Sequence, residues 1–154
     1  MKIHWLVCVV ATIIFWGAYV PTIHSGQLGF GAQRGPLRAF LFVGLAYFLV
    51  AVIVPGVLIF AFQREPADFP TKGMTVSTLA GVLGALGAFG IILALMNGGK
   101  PTTVPPLVFA GAPIMSVFVA MMMHPPKAWP QWQFYVGILL AAGGAAMVLK
   151  FKPA

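Results

Sequence analysis

Residues 74–123 hold two apolar runs separated only by a short polar break at 97–103, which contains Asn97 and the helix stoppers Gly98, Gly99 and Pro101. Each run is long enough to cross a hydrocarbon core of roughly 30 Å as an α-helix. The pattern predicts a helical hairpin that crosses a bilayer twice. Its first arm carries Gly81, Gly84, Gly87 and Gly90 beside Ala80, Ala85 and Ala88. The pairs Ala80/Gly84, Gly84/Ala88 and Gly81/Ala85 leave a face with almost no side chain, where another helix can pack backbone to backbone. The second arm opens with Pro105 and Pro106, tolerated in a first turn, and then places Pro113 inside the run, where it is expected to bend the helix.

The rest of the chain obeys the same solvent. Of 154 residues, 60% are hydrophobic and 7% charged, against about 25% charged in soluble domains. A soluble domain of this length could not bury so much apolar surface. The single cysteine, Cys8, lies in an apolar run, so neither a disulfide framework nor a cysteine metal site is available. A formal charge of +7 would suggest nucleic acid in a soluble protein. Here the Lys and Arg residues fall at the ends of apolar runs, where snorkelling and lipid phosphates account for them, and no basic stripe or recognition motif accompanies them. The partner implied is a lipid bilayer, not nucleic acid.

Five spanning helices are expected, at about residues 3–23, 38–62, 75–96, 104–123 and 132–149, in one all-α integral membrane domain covering 1–154. The first follows Lys2 and contains Trp5, Trp16 and Tyr19 before Pro21; the same pattern imitates a signal peptide, but two tryptophans and the lack of an A-x-A-like site argue against cleavage. Residues 24–37, with Gly26, Gly29, Gly31 and Arg34-Gly35-Pro36, read as a surface loop. Their glycines lack the preceding strand and following acid of a nucleotide-binding fingerprint. The second run is broken late by Pro55-Gly56. Residues 63–73 hold both acids of the chain, Glu65 and Asp68, and must be aqueous. After a proline-rich turn with Trp129 and Trp132 at headgroup level, the fifth run repeats small residues at Gly137, Ala141 and Ala145 and ends at Lys150 and Lys152.

No acid lies inside any of the five runs. The polar residues expected within the membrane are Cys8, Thr12, Tyr19, Tyr47, Ser77, Thr78, Ser116 and Tyr135, with Asn97 at an end. None is a good proton carrier at neutral pH.

Trp16-Gly17 in the first run, Arg38-x-Phe40 opening the second, a glycine-rich third, Gly111-x-Pro113 in the fourth and Gly137-x-x-Leu140-x-x-x-Gly144 in the fifth follow a known order. Over residues 10–149 the chain resembles one EamA-type repeat of the drug/metabolite transporter superfamily. The resemblance implies a five-helix half-transporter, two such repeats pairing in inverted orientation around a substrate cavity, with Trp16, Asn97, Pro113 and Ser116 near that cavity. The glutamate often found after the fourth helix of these repeats is replaced here by His124-Pro125-Pro126-Lys127, and the sequence holds no second repeat.

Bland readings stand beside these. Arg38 either contacts an anionic lipid or substrate group or simply anchors a helix at the lipid boundary, the commoner use. Met121, Met122, Met123 and His124 suggest a soft-metal site, but consecutive helical residues point about 100° apart and cannot converge on one ion. Trp16 suits packing as well as substrate contact, and Ser116 is expected to bond back to its own helix. No metal, cofactor or enzymatic constellation is expected.

Two functions remain: a paired carrier module for a small metabolite, as homodimer or heterodimer, and a non-transporting subunit that assembles through its Gly/Ala faces. Either is expected as a multi-pass protein, in the cell (inner) membrane. Lys2, Arg64, Lys72 and Lys127 would lie on one side and Arg34, Arg38, Lys100, Lys150 and Lys152 on the other. Four against five is hardly a bias, so weak or dual orientation is predicted.

Overall fold

A computed structural model of the chain describes residues 4–31 and 35–151. Among these the protein is all-helical, with five helices long and apolar enough to cross a membrane. They are α1 (Trp5–Leu28), α2 (Pro36–Ala61), α3 (Thr71–Met96), α4 (Val104–Met123) and α5 (Trp132–Lys150). The helices fall into two compact units, residues 1–97 with α1 to α3 and residues 98–154 with α4 and α5. Lys2, Arg34 and Lys152, used above to judge the loop, the helix ends and the orientation, lie outside the described residues.

The first unit corrects the expected loop at 24–37. Helix α1 runs straight through Pro21 to Leu28, so residues 24–28 are helical. Pro21 lacks the amide that would bond the Gly17 carbonyl, yet the ring is tolerated because the rest of the ladder continues. The Ser25 hydroxyl adds a bond to the Pro21 carbonyl at 3.1 Å. Helix α1 then stops at Gly29, whose amide donates to the Ser25 carbonyl at 3.0 Å. Gly31 has φ +90°, a conformation that suits glycine. The chain reverses and is tied back by the Gly35 amide, 2.9 Å from the Gln27 carbonyl. Gly35 is buried against Phe30: a Cβ at this position would lie 2.6 Å from the Phe30 Cβ.

Helix α2 packs beside α1 and meets α3 where the Phe40 and Phe89 rings lie 5.4 Å apart. The break expected at Pro55-Gly56 takes a specific form. Two π-helical stretches, Leu49–Ile53 and Val57–Ala61, flank a single α-turn at Val54–Gly56. Pro55 has no amide for the Ala51 carbonyl, and widening the ladder by one residue lets amides further along reach carbonyls that an i→i+4 pattern would leave unpaired. The Phe62 amide accordingly bonds the Val57 carbonyl at 3.2 Å, five residues back. The loop that follows carries Glu65 and Asp68, both exposed as expected. Helix α3 begins at Thr71, four residues earlier than its apolar pattern suggested.

In the second unit α4 and α5 pack against each other. Val104, Pro105 and Pro106 form the first turn of α4, where prolines remove no ladder bond. The His124 amide closes the other end on the Ala120 carbonyl at 2.8 Å before Pro125 and Pro126 forbid continuation.

Large apolar side chains cover the outside of every helix. Phe15 is 74% exposed, Leu41 68%, Leu83 63%, Met122 82% and Leu140 71%. In water such a surface would be aggregation-prone, whereas in hydrocarbon it is ordinary. The protein is an integral, multi-pass membrane protein.

Candidate functional site: a polar face on the first helix

A membrane helix satisfies its own backbone, so the polar atoms left to do chemistry are those on side chains. Some of these are spent locally. The Thr12 hydroxyl donates to the Cys8 carbonyl at 2.9 Å and the Thr78 hydroxyl to the Met74 carbonyl at 2.8 Å. Asn97, expected near a cavity, caps α3: its Nδ2 donates to the Leu93 carbonyl at 2.8 Å and its amide to the same oxygen at 3.0 Å.

Three side chains of α1 are different. The Tyr19 hydroxyl, the His24 Nδ1 and the Gln27 Nε2 are buried and have no hydrogen-bond partner among the described residues. At 100° per residue they span about 140° of the helix circumference. Gln27 is only 3% exposed and stands at the end of a buried stripe with Val20 and Ile23. Each unsatisfied atom costs about 1–3 kcal/mol, so three on one helix form a polar face whose hydrogen-bonding capacity the described residues leave unused. Trp16 borders it, its ring tilted over Tyr19 at 5.8 Å.

Reading the sequence missed His24 and Gln27 because both fell in the expected loop. The available signal was the stripe Trp16, Val20, Ile23, Gln27, whose spacing of four, three and four continues past Pro21. A histidine inside α1 also adds an imidazole to the list of in-membrane polar groups.

The remaining expected residues fall as follows. Pro113 and Ser116 lie one turn apart on exposed parts of α4, and the Ser116 hydroxyl has no hydrogen bond among the described residues, so the expected back-bond is not found there. Met121 is half-buried while Met122 and Met123 are exposed, so the three diverge. On the small-residue face of α3, Ala88 is buried at 2% exposure. Ala80, Gly81 and Gly84 are exposed, and a Cβ at either glycine would meet nothing within 4 Å. On α5, Gly137 and Ala141 are exposed and Ala145 half-buried. Arg38 is exposed, its guanidinium 5.0 Å above the Phe30 ring.

Comparison with models of protein families, with curated proteins and with solved structures finds no match.

Proposed function

We propose that this chain is a small-metabolite transporter module of the cell (inner) membrane. It acts as a paired half-transporter by alternating access, with a second copy or another membrane repeat completing the cavity. The observation that carries the reading is the set of unpartnered polar atoms on Tyr19, His24 and Gln27, buried in an acid-free span. Buried polar groups in a membrane helix cost stability and mark solute pathways. The order of short motifs shared with EamA-type repeats supports the same reading. The groups present are a phenol hydroxyl, an imidazole nitrogen and a carboxamide with no acid beside them in the span, so the solute class that fits is a small, uncharged, hydrogen-bonding organic molecule.

The test is a thermal-shift panel of neutral metabolites on the purified chain, since a ligand that binds only the folded state raises apparent stability. At least one compound should stabilise the wild type and fail to stabilise Gln27→Leu. A panel with no differential shift, combined with no uptake into proteoliposomes, removes the carrier reading.

The open face at Ala80, Gly81 and Gly84 favours a second reading, a non-transporting subunit that docks another membrane protein there. For that protein Gln27→Leu would leave assembly unchanged and Gly84→Leu would abolish it.

A further inference from the structure

We propose that the groove between α1 and α2 is a binding site for an anionic phospholipid, with one acyl chain along the groove and the phosphate at Arg38. The groove is open along one side and offers about 690 Å³; Phe15, Phe30 and Phe42 line it together with the small residues Gly26 and Ala39, and Tyr19 of the polar face lies along it too. It follows α1 from Phe15 to Gly29, fourteen residues or about 21 Å at 1.5 Å per residue. That exceeds the roughly 15 Å of hydrocarbon in one leaflet. An apolar channel reaching from the membrane surface to its middle has the dimensions of an acyl chain.

Arg38 supplies the other half of the ligand. Its guanidinium lies over Phe30, which lines the groove and stacks on Phe42 at 6.2 Å. Stacking on a ring face leaves the planar N–H edges of an arginine available, and these match a phosphate bidentately. The guanidinium has no hydrogen bond or ion pair among the described residues. Neither α1 nor α2 contains an acid, because Glu65 and Asp68 are the only two in the chain. An uncompensated cation at the surface end of an acyl-sized groove selects a lipid that brings negative charge. The reversal at Gly31 and Gly35 fixes this arrangement, since the absence of a Cβ at Gly35 is what lets Phe30 seat there.

The experiment is native mass spectrometry of the full chain, extracted from vesicles of equal phosphatidylglycerol and phosphatidylcholine. Wild type should retain phosphatidylglycerol preferentially. Arg38→Gln should lower that preference about fivefold, the scale of one basic residue near an anionic surface. Gly26→Leu, at a groove position with open space around the new Cβ, should fold and lose both lipids. Equal retention of the two lipids by wild type, or unchanged selectivity in Arg38→Gln, would overturn the proposal. So would full displacement of the phosphatidylglycerol by millimolar inorganic phosphate, which would mean that the arginine reads a free anion without the groove.

Discussion

Replacing Gln27 by leucine removes an amide whose Nε2 has no partner among the described residues and leaves a side chain of similar size among Val20 and Ile23. The expected result is a gain of about 1–3 kcal/mol in stability, the cost of an unsatisfied buried polar group, measured as a higher midpoint of thermal unfolding in detergent. A destabilised Gln27→Leu would mean that the amide is satisfied in the folded protein and would remove the polar face as a site. Gly35→Ala tests packing. Its new Cβ would fall 2.6 Å from the Phe30 Cβ, and the ring cannot withdraw without giving up its seat. A loss of about 1–3 kcal/mol is expected, the range for overpacking, whereas Gly26→Ala, with nothing within 4 Å, should show none. Of this face, Tyr19 is legible in the sequence as an in-membrane polar group and Trp16 enters through the family resemblance; both lie in an unmistakable apolar run. His24 and Gln27 stayed hidden because four nearby glycines signal a turn in water, whereas hydrocarbon forbids open backbone and keeps glycine-rich segments helical.

Element positions were legible for a related reason: length and apolarity alone decide what spans a bilayer. The ends of α4 match expectation to the residue because prolines mark both, at Pro105-Pro106 and Pro125-Pro126. What could not be read was the manner in which proline is absorbed. Pro21 leaves α1 continuous, whereas Pro55 is accompanied by two π-helical stretches, and that difference depends on how the following amides find carbonyls. Pro113 sits inside α4 and is the natural probe of whether a bend serves function. Pro113→Ala restores an amide to the ladder, so folding should be intact or firmer. In a carrier the same change should diminish ligand-dependent stabilisation or flux, while in an assembly subunit it should change nothing. Gly84→Leu is the complementary variant: a leucine on the open face of α3 should leave the isolated chain folded but alter its size-exclusion profile, because it holds two backbones apart.

For the whole molecule, the near balance of Lys and Arg between the two sides predicts a weakly determined orientation. Cysteine labelling at position 67, in the exposed loop after α2 and with Cys8 replaced by serine, should find both orientations in native expression. Labelling from one face only would exclude an antiparallel pair of identical chains and require a different partner. The location of the charges has an electrical consequence as well. Within the described spans, lysine and arginine occur only in the first or last turn, at Arg38, Lys72 and Lys150, and there is no acid. The membrane field does work of about 2.3 kcal/mol per elementary charge moved through 100 mV, and this bundle has almost no fixed charge to move. Rocking between inward and outward states would therefore be electrically silent. Uptake of an uncharged solute into proteoliposomes should be the same with and without a potassium diffusion potential, and a current or a voltage-dependent rate would show that the moving charge belongs to the cargo or to a second subunit.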